Sequence, residues 1–267
     1  MFFGFSIGVR LLEGEVISYA MVEHERDPIC GITAERLRVF GVKAVLFDLD
    51  DTLIYTSELF TFFKKYYAEV VSVKTGIDSL YLLKRLQELN NEEYKNVGVS
   101  PKRWEIVLNR LSEELDNSVV RDNLNLIMGL YLEKPRVKPG AKIILNGLRD
   151  SGFKTCLVTH ASVDWSLRKL DQTGLFSCFD AIEIVDENGP KTESSWKRGM
   201  EMLGVLGVEC LVVGDNLSGD IVPAVRLGAR AIWMPSPWSV YREGIVPDGV
   251  VTMDDLKDFW DAVQKLA

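Results

Sequence analysis

Five short, continuous apolar runs constrain this chain more than any other feature: Lys43–Phe47, Lys154–Thr159, Ala181–Val185, Cys210–Gly214 and Ala229–Met234. A run that is apolar at successive positions, rather than at alternate ones, belongs to a strand covered on both faces, as in a parallel sheet. Between the runs stand segments with helical periodicity, Pro139–Ser151, Val163–Thr173, Thr192–Leu203 and Ser218–Leu227. Gly152, Gly174, Gly204 and Gly228 follow them, and glycine just past a helix is a stop signal. Strands alternating with helices predict an α/β fold with a parallel sheet.

Residues 55–135 break the alternation. Glu58–Val73 carries Leu59, Phe62, Phe63, Tyr66 and Val70 at helical spacing, and Asp78–Leu89, Trp104–Leu115 and Val119–Leu132 read as three further helices. Ser100-Pro101 is a good opening for the third, a capping hydroxyl followed by proline at the first helical position. Four helices on short links predict an antiparallel bundle inserted into the α/β unit. Its aromatic cluster, Phe60, Phe62, Phe63, Tyr66 and Tyr67, is expected to form mostly bundle core, with one face free to line a pocket. Ahead of the first run, Phe3, Phe5, Ile7, Val9 and Leu11 alternate with other residues, and Val16, Tyr19 and Val22 follow Gly14. This suggests a hairpin. The expected division is therefore an N-terminal extension over 1–40, an α/β core over 41–54 and 136–267, and a helical insert over 55–135.

The 267 residues suffice for one sizeable core and a small second module. Lys plus Arg number 31 against 39 acids, a formal charge of −8, so the electrostatic footprint of a nucleic-acid binder is absent. No apolar run approaches the ~20 residues of a membrane span, so no membrane association is expected. The start, Met1-Phe2-Phe3-Gly4-Phe5, has no basic residue ahead of it, and Arg10 and Glu13 soon interrupt the apolar stretch, so it is not read as a cleaved signal. Cys30, Cys156, Cys178 and Cys210 form no C-x-x-C pair and are expected to be buried free thiols of a reducing cytoplasm.

The chemistry gathers where the apolar runs end. Phe47 leads into Asp48-Leu49-Asp50-Asp51-Thr52; Val158 leads into Thr159-His160; Gly189-Pro190-Lys191 follows the third run; Gly214 leads into Asp215, with Asp220 five residues on. Ligands in open α/β sheets bind beyond the carboxyl ends of the strands. Carboxylates, a hydroxyl and an ammonium in that place are the groups a phosphoryl centre needs: a nucleophile, donors for its oxygens, a cation, and hard ligands for Mg²⁺.

FDLDDTL, LVTHAS, GPK and VGDNLSGD resemble, in order, the four motifs of the haloacid dehalogenase-like hydrolases, the first being that family's D-x-D-x-T signature. The resemblance implies a Rossmann-like core, a helical cap between the first and second motifs, Mg²⁺ dependence and an aspartyl-phosphate intermediate. It assigns Asp48 as nucleophile and metal ligand, and Asp50 as general acid and base whose backbone carbonyl also binds the metal. Thr159 and Lys191 become the phosphate-binding pair, with Lys191 also holding Asp48. Asp215 becomes a further metal ligand and Asp220 an inner or outer support. Thr52 is expected to brace the loop or orient Asp50, and His160 to be a bystander. Trp196, Trp233 and Trp238 are expected to be packing residues. The implied substrate is a small phosphorylated metabolite. A phosphomutase with the same core, or a non-catalytic module on this fold, are the alternatives. A 2-haloacid dehalogenase is disfavoured, because it does not need the acid at Asp50.

Overall fold

The computed structural model describes residues 9–12, 15–18 and 28–267, with side chains from Ala34 onward. Strands β1 (Val9–Leu12) and β2 (Glu15–Ser18) pair antiparallel, with Leu12 opposite Glu15. The outer parts of the expected hairpin, residues 3–8 and 19–22, and its turn lie outside the described residues. Helix α1 (Pro28–Val39), which the sequence pattern did not reveal, comes next. Its Ala34 and Leu37 are buried in the same core as Phe259 and Trp260 of the last helix, so the segment read as an extension ends against the α/β unit.

Each of the five apolar runs is a strand: β3 (Ala44–Phe47), β4 (Lys154–His160), β5 (Ala181–Val185), β6 (Cys210–Gly214) and β7 (Arg230–Trp233). A two-residue strand, β8 (Val251–Thr252), is too short to announce itself as a run. All pair in parallel, in the order β5-β4-β3-β6-β7-β8. The first of them in sequence, β3, lies in the middle. The chain lays down β4 and β5 on one side, then returns to build the other side from β6. The reversal falls between β3 and β6, which opens a crevice beyond their carboxyl ends.

Successive side chains of a strand point to opposite faces. Val45 and Phe47 pack on one face with Leu145 and Leu148 of α7 (Ala141–Asp150), and Ala44 and Leu46 pack on the other with Trp196 and Met200 of α9 (Glu193–Leu203). Helix α8 (Val163–Thr173) follows β4, and α10 (Val222–Arg226) precedes β7. Cys156, Cys178 and Cys210 are free and buried, and burial pushes the Cys156 and Cys210 thiols up to about 12. Among the described residues, no helix is long and apolar enough to cross a membrane.

Between β3 and β4 lie α2 (Thr56–Thr75), α3 (Ser79–Val97), α4 (Arg103–Glu114), α5 (Ser118–Asp122) and α6 (Leu124–Met128). They share a core of their own around Tyr67, Leu86, Trp104 and Leu108, joined by Ala161 and Trp165 from the sheet side. The single fourth helix expected over Val119–Leu132 is instead broken at Asn123. Its amide donates to the Val119 carbonyl at 2.6 Å and its side-chain oxygen accepts from Lys74 at 2.6 Å, which competes with helical pairing. Ser100 opens α4 through its backbone carbonyl, which accepts from the Arg103 N–H at 3.0 Å, not through its hydroxyl. Of the aromatic cluster, Phe63 and Tyr67 are core residues. Phe62 and Tyr66, 60% and 42% exposed, stack on each other at the surface. The two crossings between the helices and the sheet run side by side. Ile54 and Val137 form an antiparallel bridge, Tyr55 donates to the Arg136 carbonyl at 2.8 Å, and Lys138 donates to that of Leu53 at 2.8 Å.

Candidate active site

Asp48 follows β3 by one residue and Asp215 follows β6 by one residue. The strands are neighbours with Phe47 opposite Val213, so the two carboxylates emerge beside each other at the crevice. The Asp48 N–H donates to the Val213 carbonyl at 2.9 Å, carrying the ladder one residue further. Asp220 arrives from a single π-helical turn over Leu217–Ile221, where an α-helix was expected from Ser218. Asn216 sets that turn: its side chain accepts from the Ser218 and Gly219 N–H groups, and its carbonyl accepts from those of Asp220 and Ile221. The turn brings Asp220 so close to β6 that a Cβ on Gly214 would lie 2.4 Å from Asp220 Oδ2, a separation only glycine permits.

Among the described residues, Asp48, Asp215 and Asp220 each place a carboxylate oxygen within 4.8 Å of the others, and all three are buried. Lys191 joins them, its Nζ 2.7 Å from Asp48 Oδ1 and 2.7 Å from Asp220 Oδ1. Burial pushes the Asp48 carboxyl up to about 7. Lys191 opposes this shift, and Asp220 and Asp50 reinforce it. Burial, then Asp48 and Asp220, raise Asp215 well above the usual carboxylate range. Burial pulls Lys191 down, but Asp220 and Asp48 outweigh it, so its ammonium is held more firmly than usual. Three clustered carboxylates thus face one ammonium, which pairs with two of them. Asp48 Oδ2 and Asp215 Oδ2 are buried with no hydrogen-bond partner among the described residues. Hard oxygen donors with uncompensated charge and two unpaired oxygens fit a divalent cation.

Thr159 is the penultimate residue of β4, next to β3. It is fully buried and its hydroxyl has no partner among the described residues. His160 beside it is brought down to about 4 by burial first and then by Lys191, so its imidazole is neutral near pH 7. Asp51 sits in the left-handed region at φ 58° and accepts from the N–H and hydroxyl of Ser57, closing the turn into α2. Thr52 is buried, its hydroxyl has no partner among the described residues, and it does not bond Asp50. The residues that do are Thr56, whose hydroxyl donates to Asp50 Oδ1 at 2.5 Å, and Lys169. The Asp50 carboxylate is turned toward these two and stands outside the three-carboxylate cluster.

Sequence reasoning missed Lys169. One signal was available: in α8 the buried positions are Trp165, Ser166, Lys169, Leu170 and Thr173, so the lysine lies on the apolar stripe of its helix. Its ammonium is 3.9 Å from the centre of the Trp165 ring. Beyond Asp50 a cavity of about 340 Å³ extends toward the helices, walled by Phe60, Trp165, Trp238 and Tyr241 and reaching Lys64 and Arg103. Trp238, expected as packing, is a wall of this cavity, with its ring N–H donating to Asn91 at 2.8 Å.

The sequence model of the haloacid dehalogenase-like hydrolases matches residues 42–228. The chain belongs to that family and is an enzyme of the hydrolase class. It is 27% identical over 197 residues to the glyceraldehyde 3-phosphate phosphatase of Pyrococcus furiosus, covering 72% of this chain and 80% of that one. It is 29% identical over 201 residues to the phosphoglycolate phosphatase of Aquifex aeolicus, covering 72% and 85%. A haloacid dehalogenase-like family hydrolase from Xanthomonas campestris shares the fold, with a TM-score of 0.66 at 17% identity over 84% of this chain and 91% of that one.

Proposed function

We propose that this enzyme is a phosphomonoesterase that hydrolyses a small phosphorylated metabolite through an aspartyl-phosphate on Asp48. The observation that carries the reading is the pairing of Lys191 with both Asp48 and Asp220 in the cluster with Asp215, with the Thr159 hydroxyl on the neighbouring strand unpartnered among the described residues. Asp48 Oδ2, unpaired at the crevice among the described residues, attacks phosphorus, and Lys191 favours the ionised, nucleophilic form of the carboxylate against the burial that opposes it. Thr159 donates to a phosphoryl oxygen. Asp50, held by Lys169 and Thr56, delivers a proton to the leaving oxygen and then takes one from the water that cleaves the acyl phosphate. Mg²⁺, held by Asp48 and Asp215 with the Asp50 carbonyl and Asp220 in support, would neutralise charge between the nucleophile and the incoming phosphate.

The helices over 55–135 serve in this reading as a cap. The cavity between them and the strand ends holds the leaving group, and closure excludes water until that group departs. The relatives that hydrolyse phosphoglycolate and glyceraldehyde 3-phosphate support a substrate of this size. A panel of phosphate esters assayed with Mg²⁺ and with EDTA tests the reading. Turnover is expected with Mg²⁺, to be lost in EDTA and restored by Mg²⁺. Full activity in EDTA overturns the metal assignment, and no turnover of any ester overturns the phosphatase.

A further inference from the structure

Two cations in the cavity beyond Asp50 have no counter-charge among the described residues. Arg103, at the start of α4, is 3% exposed. Its guanidinium bonds two neutral groups, the Asn90 side chain at 3.0 Å and the Gly98 carbonyl, and lies over the rings of Tyr94, Trp104 and Trp238. Lys64 of α2 donates to the neutral Gln87. Neither forms an ion pair with a carboxylate among the described residues, whereas Lys169 and Lys191 do. Burial, and then the charge of Arg103, bring Lys64 down to about 8, and burial pulls Arg103 down as well. Charged groups without a partner are costly to bury, so two like charges converging on one enclosed space are stable when an anion fills it. Trp165, on the same wall, adds a buried ring N–H with no partner among the described residues. The acids that reach this cavity are already engaged, Asp50 by Lys169 and Asp51 by Ser57.

We infer that the leaving group of the substrate carries an anionic group of its own, a carboxylate or a second phosphate, seated between Lys64 and Arg103. The inference rests on the phosphatase reading of the same site. At about 340 Å³ the cavity is at the small end of ligand pockets, and its aromatic walls suit a short carbon spacer between the two anions.

The test compares matched monoesters: 2-hydroxyethyl phosphate, 2-phosphoglycolate, ethylene glycol bisphosphate and phosphoethanolamine. The two anion-bearing esters should exceed the neutral one in kcat/KM on the order of 10- to 100-fold, the range of a charge-assisted contact. The cationic ester should be slowest, and whichever anionic ester wins identifies carboxylate or phosphate. Lys64→Met should shrink the anionic preference, and Lys64→Glu should shift it toward phosphoethanolamine. Lys64 is only half-buried, so these variants avoid the packing role of Arg103. Equal rates for neutral and anionic esters, or a preference untouched by Lys64→Glu, overturn the inference and leave the phosphatase standing. Calorimetric binding to Asp48→Asn separates the two: preference for 2-phosphoglycolate there, with no ester turned over by the wild type, keeps the anion site and removes the hydrolysis.

Discussion

Lys169 Nζ touches both carboxylate oxygens of Asp50, at 2.7 and 2.6 Å, from inside the protein. The contact fixes the rotation of that carboxylate, and Thr56 adds a third bond to the same group. An acid held on both oxygens keeps a single orientation, at the edge of the cavity it helps to line.

Lys169→Met should therefore cost both stability and rate. Breaking a buried ion pair from one side costs about 3 kcal/mol, or roughly 6–12 °C in Tm for a chain of this size. With Asp50 free to rotate, kcat should fall at least ~10-fold, toward the ~10²–10⁴ contribution of general acid–base catalysis, with KM changing less than kcat. Steady-state kinetics and a thermal melt read both effects. A wild-type kcat in this variant would detach Lys169 from the reaction.

Asp48→Asn should abolish turnover, because an amide is a poor nucleophile. It removes one of three mutually repelling acids and leaves Asp220 to pair with Lys191. The metal-free melting temperature at pH 8 should thus be no lower than that of the wild type. Retained turnover would refute the covalent route.

Magnesium should raise Tm more at pH 8 than at pH 5.5. Asp48 and Asp215 hold protons more tightly in the folded chain than in the unfolded one, where aspartate titrates near ~4. Their ionisation opposes folding: the cost is absent below about pH 4, grows through Asp48's folded value of about 7, and is greatest above it. A cation between them offsets that cost but must displace protons to bind. His160 acts in the opposite sense, losing stability as pH falls from ~6.5 to its folded value of about 4. The difference between melts with and without Mg²⁺ at each pH isolates the carboxylates. A shift that grew toward acid would contradict the assignment.

Phe60→Ala should change the ranking of substrates, and Phe62→Ala should not. The first ring borders the cavity, whereas the second is 60% exposed and stacked on Tyr66 outside it. Relative kcat/KM across the ester panel decides, and an altered ranking in Phe62→Ala alone would misplace the specificity surface.

The strand ends were readable in the sequence because a buried parallel strand is apolar throughout, and the first polar residue beyond it is where the sheet opens. Asp48 and Asp215 announce themselves that way, and Thr159 does so as the polar residue that closes the run Lys154–Thr159. Lys169 and Arg103 did not, since a lysine or arginine in a helix ordinarily faces water. Asp50 is 119 residues from Lys169, a distance no periodicity reports. The end of α3 was hidden for a related reason. Asn90 and Glu93 interrupt its apolar spacing, yet both are buried, bound to Arg103 and Arg110. Asn123 hid the break between α5 and α6 because its side-chain bonds involve partners that a pattern of apolar residues does not show.

The bridge between Ile54 and Val137 makes the two ends of the helical segment near neighbours, joined by hydrogen bonds on the core side. From the sheet's side, everything between them is one long loop already closed at its neck. Because loop-closure entropy grows only with the logarithm of length, lengthening or shortening that loop away from its contacts with Ala161 and Trp165 costs the sheet little. The helices are thus a cassette: their surface can diverge freely while the carboxylates beneath keep their places.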